Sequence, residues 1–262
     1  MSGARPERFP GHRYPQVIPE PDEVRPGAPA PWGHLAAIER RQLSVELVVA
    51  RLAARGRSID AGPPALTGEL IEVSRRPGPP SRPSAVLVAL LEVDGEAHVV
   101  LTRRSMALRN HRGEIALPGG RQDGDEDAIA TALREADEEV GLDPARVSPV
   151  GWLSPIASIV SNSAIWPVVA TVAGRPKWRA QPGEVDRVFS VALADLLADG
   201  AFVEERWRRA TPRPGADDDG FFPIYFFRVP GDLIWGATAR VLVELLAIAS
   251  GVDLGEGDGG LR

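Results

Sequence analysis

From Gly119 to Leu142 the chain reads GGRQDGDEDAIATALREADEEVGL: a paired glycine, an acidic turn, then a helical period closed by glycine. Few stretches constrain a fold as tightly. Asp123 with Glu126 resembles a capping box, which predicts a helix starting near Asp123–Asp125. Gly141, with Pro144 just beyond, predicts its end. At about 100° per residue, Ile129, Ala132, Leu133, Ala136 and Val140 form one stripe that must face a core. Glu135, Glu138 and Glu139 fall in an adjacent sector only about 100° wide, while Asp137 points elsewhere.

Glutamates at i, i+3 and i+4 repel one another, and Arg134 is the one cation nearby to offset them. A solvated helix face is one reading. The other is a hard divalent cation such as Mg²⁺, which takes carboxylate oxygens beside substrate phosphates. The preceding LPGGRQDGD favours the second reading. Gly119 and Gly120 carry no side chain, so their backbone can approach a ligand closely, a carbonyl serving as a metal ligand and amides facing phosphate. A strand-to-helix turn that needs positive φ explains the same glycines, and both readings hold together.

Around this segment, AVLVALLEV, then Asp94-Gly95, then EAHVVLT reads as a β-hairpin. Apolar runs at Ile165–Val172, Phe189–Leu193 and Phe221–Val229 predict strands, Asp195–Leu197 a short helix, and Ala237 to about Ala249 a final helix. Strands and helices intermix, so an α/β or α+β fold is expected. Upstream, Leu35, Ile38, Leu43, Leu47, Val48 and Leu52 predict a helix from His34 to about Arg55, with Gly56 as its stop. Residues 1–33 hold eight prolines and predict an arm without a packed element. RRPGPPSRPS (Arg75–Ser84) predicts a linker, and GVDLGEGDGGLR a flexible tail. The division expected is 1–81 for arm, helix and linker, 82–250 for the domain, and 251–262 for the tail.

Composition narrows the function classes. With no cysteine, thiol nucleophiles, disulfides and thiolate zinc sites are excluded. A formal charge of -6 argues against a general nucleic-acid binder. MSGARPERFPGHRYPQ lacks the apolar core of a signal peptide, and runs such as Ala85–Leu91 are too short to span a bilayer. A soluble, cytoplasmic protein with no membrane or nucleic-acid partner is the expectation. No G-x-S-x-G elbow supports Ser/His/Asp catalysis.

Gly120, five residues, Glu126, seven residues, then Arg134-Glu135-Ala136-Asp137-Glu138-Glu139-Val140-Gly141-Leu142 resembles the Nudix box at every fixed position. Ala136 stands where a larger aliphatic residue is usual. LTRRSMALRNHRGEIALPGG (Leu101–Gly120) resembles the signature of the coenzyme A pyrophosphatase branch through Thr102, Arg104, Ser105, Arg109, Gly113, Pro118, Gly119 and Gly120, with Leu117 in place of phenylalanine. GEVDRVFSVALADLL and IWGATARVL also resemble that branch, so the likeness spans roughly residues 82–250.

The resemblance implies an α/β/α sandwich around a mixed sheet and Mg²⁺- or Mn²⁺-dependent cleavage of coenzyme A or acyl-coenzyme A to 3′,5′-ADP and 4′-phosphopantetheine. It implies Glu138 and Glu139 as metal ligands, Glu135 as a third ligand or the base, and the Gly120 carbonyl as a further ligand. Arg134 would pair with Glu126 and fix the helix against its loop. Arg104 and Arg109 are candidates for substrate phosphates, including the 3′-phosphate; guanidinium forks suit phosphate oxygens. Arg103, Arg112 and His111 could share that work or be solvated, and Glu184 is a further acid that could approach the metal. Trp152, Trp166, Trp178 and Trp235 are expected to pack. Two alternatives stay open: hydrolysis of NADH, ADP-ribose or a nucleotide sugar, and a Nudix module that binds without turnover. The proline-rich arm is the segment available for a partner or homodimer contact.

Overall fold

Asp94 and Gly95 take φ 53 and 86, the paired positive values of a type I′ turn, and join the strands that organise the molecule. The computed structural model describes residues 16–65, 83–158, 163–210 and 216–254. Its strands, in chain order, are β1 (Glu23–Pro26), β2 (Ser84–Val93), β3 (Glu96–Arg104), β4 (Ile115–Ala116), β5 (Gly119–Arg121), β6 (Val147–Trp152), β7 (Ile156–Ser158), β8 (Ser163–Val172), β9 (Val185–Ala192), β10 (Phe202–Arg208), β11 (Phe221–Val229) and β12 (Asp232–Trp235).

The larger sheet runs β4-β3-β2-β8-β6, with β5 on β2, β7 on β8 and β9 on β3. It is mixed, because β2 and β8 pair in parallel from Ser84↔Ile165 to Leu90↔Thr171 while β2 and β3 are antiparallel. Alternation along β2 serves two layers. Ala85, Leu87, Ala89 and Leu91 pack with Ala132, Ala136 and Val140 of the helix Ala128–Val140. Val88 and Leu90 belong to a second core with Val48, Leu52, Leu242 and Leu246, from the helices Val45–Ala54 and Gly236–Ser250. Helices thus cover both faces of a mixed sheet, the α/β/α arrangement expected. A smaller antiparallel sheet, β1-β10-β11-β12, adds Trp207, Phe222, Ile224, Phe226 and Leu233.

The N-terminal reading needs two corrections. The expected helix over His34–Arg55 is two helices, Ala37–Arg41 and Val45–Ala54. Leu43 leaves the helical path: its side chain is buried and its carbonyl accepts from Ala97 N–H of β3 at 2.7 Å. Ser44 then caps the second helix through Leu47 N–H. Nor is the proline-rich stretch free of packing. β1 pairs with β10, and Trp32 is fully buried, stacked on Phe227 and edge-on to Phe202. Arginines fasten this segment: Arg40 donates to Leu197 O, Arg51 to Ala249 O and Arg55 to Val252 O, carbonyls left over where helices end.

The first fifteen residues of the arm, the linker through Arg82 and the tail beyond Leu254 lie outside the described residues. Among the described residues, no helix is long and apolar enough to cross a membrane.

Candidate active site

The box helix begins later than its sequence suggests. It spans Ala128–Val140, and its cap is Asp127, whose side chain accepts from Ala130 N–H at 2.8 Å. Asp123 N–H does reach Glu126 at 3.2 Å, but that carboxylate serves mainly another partner. The end is as expected: Gly141 is left-handed at φ 68, and its N–H returns to Asp137 O.

That other partner is Arg134. Its Nε donates to Glu126 Oε1 at 2.8 Å and its Nη2 to Glu126 Oε2 at 3.2 Å, a bidentate fork. Nη2 also donates to Arg121 O, which ties the helix to β5. Nη1 lies 3.0 Å from Glu135 Oε1 and 3.1 Å from Glu138 Oε2. Hydrogen bonding to Arg134 holds the Glu126 carboxyl below its usual range. The Glu126 bond in turn holds the Arg134 guanidinium above its own.

Glu139 faces inward. It is buried, accepts from Gly119 N–H at 3.1 Å, and stands 3.8 Å from Arg104 Nη1. Burial pushes its carboxyl up to about 7; the Gly119 N–H and Arg104 oppose that, while Glu135 and Glu184 add to it. Burial also raises Glu135, against the pull of Arg134 and with the push of Glu138 and Glu184. Both glycines are required for this approach. At Gly119, φ is 154 and a Cβ would stand 2.3 Å from Ala85 O; at Gly120 it would stand 2.5 Å from the Glu135 carboxylate.

The loop before β9 closes the other side. Arg179 N–H donates to Val140 O and Gln181 N–H to Glu139 O, both at 2.9 Å, filling carbonyls at the helix end. Glu184, exposed, sits near enough for its charge to act on both Glu135 and Glu139. Its own carbonyl accepts from Ser105 N–H.

Not every candidate converges here. Glu138 is exposed and pairs with Arg134. Arg104 reaches Glu139, and its Nε is buried without a hydrogen-bond partner. Arg109 and Arg112 are exposed on the β3–β4 loop. Arg103 turns to Asp232, in a group that sequence reading missed because its members are far apart in the chain. His111, at φ 54, pairs with Glu114, and that hydrogen bond raises its imidazole. Trp152, Trp166, Trp178 and Trp235 pack against apolar clusters.

The donor chemistry fits a hard divalent cation: oxygen donors only, two of them on raised carboxyls whose charges oppose one another. Among the described residues, no three such side chains already stand close enough to hold an ion. Arg134 meanwhile shares the charge of Glu135 and Glu138.

Comparison with known proteins gives the same reading of the box. The NUDIX domain family matches residues 81–211. "Nudix hydrolase 15, mitochondrial" of Arabidopsis thaliana is 36% identical over 172 residues, 63% of this chain and 58% of that protein. The Nudix hydrolase NudL of Salmonella newport is 35% identical over 166 residues, 63% of this chain and 81% of NudL. The chain thus spans little more than half the length of its Arabidopsis relatives, 58% and 54%. A solved MutT/nudix family protein from Enterococcus faecalis aligns with TM-score 0.40 and 15% identity over 67% of this chain and 62% of that one. Matched across half its length by the family, and to most of NudL, this chain belongs to the Nudix family.

Proposed function

We propose that the protein is a divalent-metal-dependent diphosphatase acting on coenzyme A or its acyl derivatives. The observation that carries this reading is the meeting of two opposite receptors at one loop. On one side stand the Glu135 and Glu139 carboxylates; on the other is Arg104, with Nε buried and unpartnered. A pyrophosphate chelated to a cation needs both. The branch signature around Arg104 and Arg109 supports coenzyme A as the substrate.

Glu135, Glu138, Glu139 and the Gly120 carbonyl would hold Mg²⁺ or Mn²⁺. The metal, when bound, neutralises the pyrophosphate and lowers the pKa of a water. The chain does the rest. Glu126 and Arg134 lock the helix against β5 so that the glutamates keep their spacing. Gly119 N–H orients Glu139, and Glu135 or Glu139 takes the proton as water attacks phosphorus. The P–O–P bridge breaks, giving 3′,5′-ADP and (acyl-)4′-phosphopantetheine. Arg104 holds the diphosphate, and Arg109 on its exposed loop receives the 3′-phosphate.

The test is a ranking of kcat/KM for coenzyme A, its 3′-dephospho form, NADH and ADP-ribose. Coenzyme A ranks first on this account, and Arg109→Ala erases its advantage over the dephospho form. A ranking led by NADH or ADP-ribose discards the coenzyme A assignment and keeps Nudix chemistry.

A further inference from the structure

One buried carboxylate has no part in the site just described. Asp232 opens β12, directly after the turn from β11, and is 1% exposed. Its Oδ1 accepts from Arg103 of β3 through Nε at 3.0 Å and through Nη2, and its Oδ2 accepts from Arg187 of β9. The smaller sheet therefore reaches across to hold two strands of the larger one.

The place where it does so is informative. Arg103 and Arg187 are register partners, and immediately after them the ladder slips: Arg104 pairs with Val185, and Asp186 is left over. A bulge re-aims the side chains beyond it, and its position must be pinned. Arg104, the β3 residue that faces a box carboxylate, lies beyond the slip together with Ser105 and Met106. Arg104 stands 3.8 Å from Glu139. Asp186, the extra residue, accepts from Met106 N–H at 3.0 Å, and the Glu184 carbonyl accepts from Ser105 N–H at 2.8 Å. Arg103 and Arg104, neighbours on one strand, point to opposite faces, as a strand requires.

We propose that Asp232 is a positioning residue for substrate binding: by drawing Arg103 and Arg187 onto one buried carboxylate, it fixes the bulge that sets Arg104 against Glu139. This rests on Arg104 being a substrate contact. A tie between sheets alone would stabilise the fold without selecting which kinetic constant changes. Removing a buried charge strands its partners, so Asp232→Asn risks unfolding. Arg187 is half exposed and offers the gentler cut, since Arg187→Gln frees β9 while the Arg103–Asp232 pair stays.

The experiment is a double-mutant cycle on the full chain, with Arg187→Gln made in the wild type and in Arg104→Ala. In the wild type KM for coenzyme A rises about tenfold with kcat changed by less than about threefold; in Arg104→Ala it rises no further. An equal rise in both backgrounds, or a loss of kcat alone, overturns the proposal. Amide hydrogen exchange supplies an arm that needs no turnover: Ser105 and Met106 exchange at least about tenfold faster in Arg187→Gln. Unchanged protection there overturns the proposal even if the wild type cleaves nothing, whereas wild-type inactivity alone removes the diphosphatase reading.

Discussion

The backbone N–H of Gly119 donates to the carboxylate of Glu139 at 3.1 Å, joining the loop end of the box to the last turn of its helix. A glycine amide and an inward glutamate thus join the two ends of the candidate site. Glu139→Gln keeps the shape and that hydrogen bond but removes the charge. Turnover of coenzyme A is expected to fall by about 10²–10⁴, the loss typical of general acid–base groups, with an unchanged circular dichroism spectrum. Near-normal rates would take Glu139 out of the site.

Burial raises Glu139 to about 7, from an ordinary value near 4.5. A carboxyl raised by folding contributes stability that is fully present below its unfolded value and lost as pH rises through its folded one. The metal-free protein therefore loses on the order of 3 kcal/mol from this group between about pH 4.5 and about pH 7. Thermal unfolding in EDTA across that range shows a falling Tm, and Glu139→Gln flattens the fall. Added Mn²⁺ restores stability most at the high end, because it binds the ionised carboxylate. Identical slopes for the two proteins would count against the assignment.

Arg134 spends its fork on Glu126 and Arg121 O and its remaining nitrogen on Glu135 and Glu138. Lysine keeps the charge and cannot span these acceptors. Arg134→Lys is expected to weaken Mn²⁺ binding by about 10–100-fold, the usual cost of losing a group that orients metal ligands. Isothermal titration with Mn²⁺ checks it; wild-type affinity would reduce Arg134 to a surface cation.

The two glycines are expected to fail differently. In Gly119→Ala the new methyl meets the Ala85 carbonyl, on a backbone at φ 154, so stability drops by about 1–3 kcal/mol. In Gly120→Ala it meets the Glu135 carboxylate, a side chain that can swing away. That variant keeps most of its stability and loses turnover. Denaturant melts beside rate measurements separate the two; equal effects on both readouts would contradict the distinction.

What was legible in the sequence was local. Asp94-Gly95 announced its hairpin because both residues adopt positive φ without help from elsewhere. The stripe Ala132–Ala136–Val140 announced the buried face of the box helix. What was not legible depended on distant partners. β1 lies among prolines, yet it forms because Glu23–Pro26 meets Glu205–Arg208 across the smaller sheet. The helix breaks at Leu43 because Ala97 N–H takes its carbonyl. Within the site, Arg134 with Glu126 followed from the family pattern. The Asp232 clamp did not, since its two arginines come from strands far back in the chain.

Metal-dependent cleavage of coenzyme A is tested by product analysis with liquid chromatography and mass spectrometry. Purified protein is incubated with coenzyme A, with Mg²⁺ and then with EDTA. With the metal, 3′,5′-ADP and 4′-phosphopantetheine are expected in equal amounts; without it, neither is expected. Intact coenzyme A under both conditions, with Mn²⁺ equally ineffective, would contradict the diphosphatase reading and bring forward a Nudix module that binds without turnover.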